Sequence, residues 1–413
     1  MRLGCRKTGQ VSKGLVSRDL EVLPTRRGFL RGAAAVGAGA ALSALAGCGQ
    51  SESTITRATT TTPATTTAFP AAVTSTLPDT GRMRVFDLHS DTIGRQDMAD
   101  WPQWSSMIAE ELERGLDTSG TLVRNGGAMD LERMSAFSWC QCFGIWMQDD
   151  DAEAGLRFYR VARDGFKGDL STYSDMVTQV RSMDDVDRAL AEGKTAAMLT
   201  IENGGLIGIG LDVIDELVAD GVMMTSLTWN GPNALASGNW TENGISDLGR
   251  DAVRALEDAG IVLDVSHLND AGLDDLLKIA RRPFVASHSN ARAVANVPRN
   301  LTDDQFRAIC AQGGIVGINF FRNFLVERDA PEQGEVTFDE LAAHVEHFLD
   351  LGGEDALALD SDYDGSDVPE WLESCSDVAD LNVRLAGRFG QDLVDKMFFT
   401  NAYDFFRRYE ASA

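Results

Sequence analysis

The chain is poor in histidine, with five in 413 residues, and poor in positive charge, with 37 Lys and Arg against 63 Asp and Glu. The imbalance gives a net charge of −26, and residues 49–413 alone hold 29 basic against 61 acidic side chains. Such a surface repels phosphate backbones, which argues against a nucleic-acid partner. Its six cysteines, Cys5, Cys48, Cys140, Cys142, Cys310 and Cys375, lack zinc-ribbon spacing, and sequence alone pairs none of them into a disulfide. Cys140 and Cys142 fall on one side of a strand, as core residues do. No Gly-x-Gly-x-x-Gly follows the first apolar strand, so a dinucleotide fold has little support. The apolar run from Gly32 to Gly47 is only about 16 residues long, short of a membrane span. Apolar residues overall are not lacking: at 44% they suffice for a packed globular core.

Residues 1–48 are an address rather than part of the fold. Arg26-Arg27-Gly28-Phe29-Leu30 is a twin-arginine core. The apolar run after it ends in Leu45-Ala46-Gly47-Cys48, which resembles the lipobox of bacterial lipoproteins. The resemblance implies cleavage before Cys48 and lipid on its thiol. The expectation is export by the twin-arginine route to an extracytoplasmic, membrane-anchored position. Each buried acyl CH₂ would contribute about 0.8 kcal/mol to such an anchor. Residues 49–80 form a Thr/Ala/Pro/Ser tract with too few large apolar side chains to bury anything, and are expected to be a disordered tether. The folded domain is then 81–413.

From Val85 onward, apolar strands alternate with helical periodicity. Strands are expected at Val85–His89, Phe137–Trp146, Thr195–Ile201, Val222–Trp229, Ile261–His267, Phe284–His288, Ile315–Phe320 and Ala356–Leu359. Helices are expected at Ala152–Phe166, Asp212–Ala219, Leu248–Ala259, Ala271–Ala280, Asp303–Ala311 and Phe338–Leu351. Gly221, Gly260 and Gly313-Gly314 punctuate helix ends. Near-continuous apolar strands between helices indicate a covered parallel sheet. About eight such units fit an α/β fold of the (β/α)₈ TIM-like barrel type. A doubly wound open sheet is the alternative. The long stretch Thr92–Ser135 is expected to wall the barrel mouth, and Asp377–Tyr409 to pack on the barrel as amphipathic helix.

In such a barrel the C-terminal strand ends meet around one mouth. Three of the five histidines, His89, His267 and His288, lie at these ends, together with Asp91 and Glu202. His89 and Asp91 flank one residue and leave the chain on the same side. A carboxylate has two oxygens and can bridge two ions, whereas an imidazole offers one nitrogen. The simplest arrangement puts His89 and Asp91 on one metal, His267 and His288 on a second, and Glu202 between them. A pair about 3.5–4 Å apart would hold a bridging hydroxide at neutral pH. Asp362, in Asp360-Ser361-Asp362-Tyr363-Asp364-Gly365, follows the last strand and could shuttle a proton. Arg299 follows the sixth expected strand and could hold a carboxylate bidentately. His344 and His347 sit on a helix and read as structural.

Together these segments resemble the membrane (renal-type) dipeptidases. Asp87-Leu88-His89-Ser90-Asp91, Glu202-Asn203-Gly204, Asp264-Val265-Ser266-His267, Ser287-His288-Ser289-Asn290, Val297-Pro298-Arg299-Asn300 and Asp362-Tyr363-Asp364-Gly365 carry the likeness, in order, over about Val85 to Tyr409. It implies a zinc-dependent dipeptidase with two ions and a possible homodimer. Arg299 would recognise the dipeptide C-terminus and Asp362 would act near the scissile bond or the substrate amine. It also implies tolerance of a C-terminal D-residue. One position departs. Where many members have a histidine after Leu-Thr, this chain has Leu227-Thr228-Trp229-Asn230. An indole offers one N–H and exchanges no proton usefully, so either Asn230 or a metal takes the oxyanion role, or the substrate range is altered. Other readings are a different dinuclear amidohydrolase, such as an N-acyl-amino-acid deacylase or lactonase, and a lipoprotein that binds peptide without cleaving it. Asp91 in place of a second strand-one histidine, and the scarcity of Lys, count against the former.

Overall fold

A computed structural model describes residues 80–93, 121–149, 151–327 and 334–412. The twin-arginine segment, Cys48, the 49–80 tract except its last residue, and residues 94–120 of the mouth insertion lie outside the described residues.

Nine parallel strands form the sheet: β1 (Arg84–Ser90), β2 (Ser138–Trp146), β3 (Val177–Val180), β4 (Thr195–Glu202), β5 (Val222–Ser226), β6 (Val262–Asp264), β7 (Val285–Ala286), β8 (Ile315–Ile318) and β9 (Leu357–Leu359). Pairing runs β1-β2-β4-β5-β6-β7-β8-β9 and back to β1, so eight strands close a barrel. All eight expected strands are present. β3 is additional. It pairs with residues 195–198 of β4, while β5 pairs with 199–201 on the same edge.

Between the strands run α1 (Ala152–Thr172), α2 (Met183–Ala191), α3 (Val213–Asp220), α4 (Asp247–Asp258), α5 (Asp270–Ile279), α6 (Asp303–Ala311) and α7 (Phe338–Asp350). All but α2 were expected. Side-chain caps open most of them, with full capping boxes at Thr302/Gln305 and Thr337/Glu340. Gly221, Gly260 and Gly313 take the left-handed backbone where helices give way to strands.

The barrel interior changes character along its axis. One apolar cluster takes alternate residues from the strands: Phe86, Cys142, Met198, Met224, Val262, Val285, Ile315 and Ala358. It continues into Phe399, Phe405, Phe406 and Tyr409 of the C-terminal segment, which contains α8 (Val378–Phe389) and α9 (Asn401–Ala411). Phe86 stacks on Phe406, Asn401 donates to Leu357 O, and Tyr409 donates to Ile261 O, so α9 floors the N-terminal end of the barrel. Because strand side chains alternate, Thr200 and Glu202 follow Met198 on the inner face, Asp264 follows Val262, and Asp360 follows Ala358. Apolar residues fill the floor, and polar ones line the mouth.

Candidate metal centre

The regular strands stop earlier than apolar periodicity suggests, and the ligands lie at or just past their ends. β6 stops at Asp264 and β7 at Ala286. There the Asp264 carboxylate replaces strand pairing: its Oδ1 accepts from the N–H groups of both Ser266 and Ser287, each at 2.9 Å, and so ties the two segments together. His267 then takes a positive φ of 72°. Among the described residues the other non-glycine positive-φ positions are Asn203, Asp362 and Asp364. All four lie in or beside this mouth, and backbone strain of this kind costs about 1–3 kcal/mol each and persists where surroundings enforce it.

Two ligand groups form, Glu202 with His267 and His288, and His89 with Asp91 and Glu202; within each group the ligating atoms lie within 4.8 Å of one another. Glu202 belongs to both. Its Oε1 is 2.8 Å from His267 Nε2, and its Oε2 is 3.1 Å from His89 Nε2. His89 Nε2 is 3.7 Å from Asp91 Oδ1. The His288 ring lies 4.6 Å from that of His89 and 4.9 Å from that of His267. All five residues are buried. His89 Nε2 and both Glu202 oxygens are buried with no hydrogen bond of acceptable geometry. Buried polar atoms are rarely left so, and the orphaning fits atoms that ligate cations.

The surroundings set the ligands' protonation and aim. Burial alone would raise the Glu202 carboxyl, but His267 and then His89 outweigh it and hold it well below the ordinary range. Burial, then the charges of His89 and Arg299, hold His288 well below the usual imidazole value. An ionised carboxylate and a neutral imidazole are the states a metal needs. His267 Nδ1 donates to Asn230 Oδ1 at 2.8 Å. Ser287 Oγ donates to Asp264 Oδ2 at 2.5 Å and lies 2.7 Å from His288 Nδ1. Both histidines therefore turn Nε2 to the centre. Asn230, considered above for an oxyanion, is an orienting partner of His267. Neither this role nor that of Asp264 was read from sequence. A carboxylate embedded in an apolar strand was the available signal for Asp264.

The three C-terminal aspartates separate by environment. Asp364 accepts from Thr92 Oγ1 at 2.6 Å and from Ala128 N at 2.8 Å, tying the described part of the mouth insertion to the barrel. Asp360 is fully buried in the barrel, where burial and then the charges of Asp87 and Asp362 push its carboxyl well above the ordinary range. Asp362 sits beside Asp91: a Cβ on Gly365 would fall 1.8 Å from Asp91 Oδ2 and 2.9 Å from Asp362 Oδ1. Asn319 Nδ2 donates to Asp362 Oδ2 at 3.2 Å.

Arg299 flanks His288. Its Nη2 is 3.4 Å from His288 O, its guanidinium lies over the Phe324 ring at 5.1 Å, and its Nε is buried without a hydrogen bond. Burial lowers it to about 10, so it stays cationic at neutral pH. Trp229 is packed at the rim, its ring 6.2 Å from that of His267. His344 and His347 lie outside the centre: His344 bridges Ala291 N and Leu325 O, and His347 pairs with Asp303.

The profile of the membrane dipeptidase family, peptidase family M19, matches residues 81–413. An uncharacterized protein from the pqqA 5′ region of Klebsiella pneumoniae is 34% identical over 230 residues, covering 52% of this chain and 83% of that one. An uncharacterized dipeptidase of Schizosaccharomyces pombe is 27% identical over 288 residues, covering 67% and 68%. Among solved structures, a metallopeptidase of Rhodobacter sphaeroides bound to a phosphinate mimic of L-Ala-D-Ala is similar, with a TM-score of 0.68 and 25% identity over 79% of this chain and 99% of that one. The M19 metallopeptidase described as dipeptidase AC is similar at a TM-score of 0.69 and 26% identity, over 79% and 98%.

Proposed function

The chain belongs to the membrane dipeptidase family and is a metal-dependent dipeptidase, and from that premise we propose that it works with two divalent ions, zinc by preference, on dipeptides bearing a free C-terminal carboxylate. The observation that carries the two-ion reading is the sharing of Glu202 between two buried ligand groups. His89 and Asp91 would hold one ion, His267 and His288 the other. Bound there, the ions supply a water nucleophile at neutral pH and polarise the scissile carbonyl.

The chain's own residues supply the rest. Arg299, half-buried and in no ion pair among the described residues, holds the substrate carboxylate through charge-assisted hydrogen bonds. Asn319 holds Oδ2 of Asp362, and this carboxylate carries a proton to the departing amine. The phosphinate mimic of L-Ala-D-Ala held by the Rhodobacter protein supports extending the substrates to a C-terminal D-residue. The twin-arginine core and the Leu45-Ala46-Gly47-Cys48 sequence support export and lipid attachment at Cys48.

The test is metal analysis with turnover of L,L and L,D dipeptides, acylated amino acids and lactones by the purified protein. The expected result is about two ions per chain, hydrolysis confined to dipeptides, and loss of turnover on chelation. Full dipeptide hydrolysis by a chelator-stripped sample would end the metal reading. Turnover of only the acylated compounds would favour the deacylase alternative.

A further inference from the structure

Three tryptophans form a continuous surface at one side of the mouth. Trp146 ends β2, directly paired with Glu202. Its ring meets that of Trp229 edge-to-face at 5.0 Å, and Trp229 meets Trp240 in the same manner at 5.5 Å. Trp229 is also 6.2 Å from the His267 ring. Exposure rises outward, from 3% at Trp146 and 7% at Trp229 to 40% at Trp240. The wall thus leads from the metal ligands to solvent. Its outer member is rigidly placed. Trp240 N donates to Asn230 O at 2.9 Å, and Gly238 lies so close to Trp229 O that a Cβ there would fall 1.9 Å from it. Asn239 ties the same loop to Pro298 O, beside Arg299.

Indoles have no proton to exchange at neutral pH, so what this wall offers is contact area and quadrupolar edges. We propose that it is the recognition surface for one side chain of the dipeptide, and that it selects a large apolar side chain, aromatic or branched, over a small or charged one. The inference rests on the dipeptidase reading and adds to it the class of side chain. An aromatic pair attracts beyond what burial alone gives, and pocket discrimination between apolar side chains spans about 10- to 200-fold.

The test uses the metal-loaded full chain and two dipeptide series, Xaa-Ala and Ala-Xaa, with Xaa as Phe, Leu, Ala or Glu. In one series kcat/KM for Phe and Leu should exceed that for Ala and Glu by about tenfold or more. Trp240→Ala should collapse that ratio by about tenfold, and Trp240→Phe should restore most of it. A ratio unmoved by Trp240→Ala in both series overturns the proposal. If no dipeptide is cleaved, it is the dipeptidase reading that fails, and ligand titration then decides the wall. Phe-containing dipeptides should change the tryptophan emission of the native chain more than that of Trp240→Phe, and Ala-Ala should change neither. Equal responses from both proteins would reject the wall.

Discussion

The two sides of the metal centre start from the same device and use it differently. On the β6/β7 side, Asp264 accepts from the N–H and the O–H of Ser287, at 2.9 and 2.5 Å. On the β1/β9 side, Asp87 accepts from the N–H and the O–H of Ser361, at 2.9 and 2.6 Å. Ser287 continues to a ligand, His288 Nδ1. Ser361 continues to backbone instead, lying 3.3 Å from His89 O and accepting from Tyr363 N. Close walls press on the candidate ligands of that side. A Cβ on Gly144 would fall 2.6 Å from His89 Cε1, and one on Gly365 would fall 1.8 Å from Asp91 Oδ2. In one half a hydrogen-bond relay ends on an imidazole, and in the other the walls crowd the candidate ligands. The two halves should therefore fail differently.

The largest effect belongs to the steric side. Gly365→Ala drives a methyl into Asp91 and crowds Asp362, and a displacement of about 1 Å at a reacting centre can cost roughly 10²-fold in rate. We expect at least that loss in kcat/KM, with bound metal falling below the native ratio, measured by steady-state kinetics and elemental analysis on the same sample. Native kinetics in Gly365→Ala would mean that Asp91 is not held in place by that wall.

A smaller and graded effect is expected on the hydrogen-bonded side. Removing a partner that orients a ligand typically weakens metal affinity 10- to 100-fold. Ser287→Ala and Asn230→Ala should each do so, read by competition with a chelator. Ser361→Ala should lower thermal stability and leave metal affinity nearer native, because Ser361 touches no imidazole. Equal losses of affinity from Ser287→Ala and Ser361→Ala would break the comparison.

The same contrast explains what the sequence could reveal. The candidate ligands were legible because His89, Asp91, Glu202, His267 and His288 follow apolar runs, and barrel topology gathers strand ends. Arg299 and Asp362 were singled out by their place in ordered motifs, and the fold sets them beside His288 and Asp91. The orienting shell was not, since Asn230 and His267 are 37 positions apart and meet only when neighbouring strand ends are aligned. The left-handed turn at His267 was hidden because no glycine marks it. β3 was missed because Val177-Thr178-Gln179-Val180 is four residues long and half polar. Its Gln179 side chain is used to hold Asp220 O, so the segment lacks the apolar run that betrayed its neighbours. Trp229 was legible as a departure, but its partners Trp146 and Trp240 emerged only from the fold.

The smallest effect on turnover lies farther from the ions, where the outer layer holds the Arg299 loop. His344 of α7 is fully buried. It accepts from Ala291 N at Nδ1 and donates from Nε2 to Leu325 O, each at 3.0 Å, joining the loop that carries Arg299 to the short helix Arg322–Leu325, whose Phe324 lies under that guanidinium. This bonding requires a neutral imidazole, and burial lowers its pKa from 6.5 to about 4. As pH falls from 6.5 towards 4, the unfolded chain takes up a proton that the native chain refuses. Stability therefore falls through that window and levels off below it, by about 3 kcal/mol at most. Gln at this position can accept from Ala291 and donate to Leu325 without titrating. His344→Gln should keep the clamp and flatten the dependence of unfolding free energy on pH between 6.5 and 4, by up to about 1.4 kcal/mol per pH unit, as followed by urea denaturation. An unchanged slope would show that the acid sensitivity of this layer comes from another group.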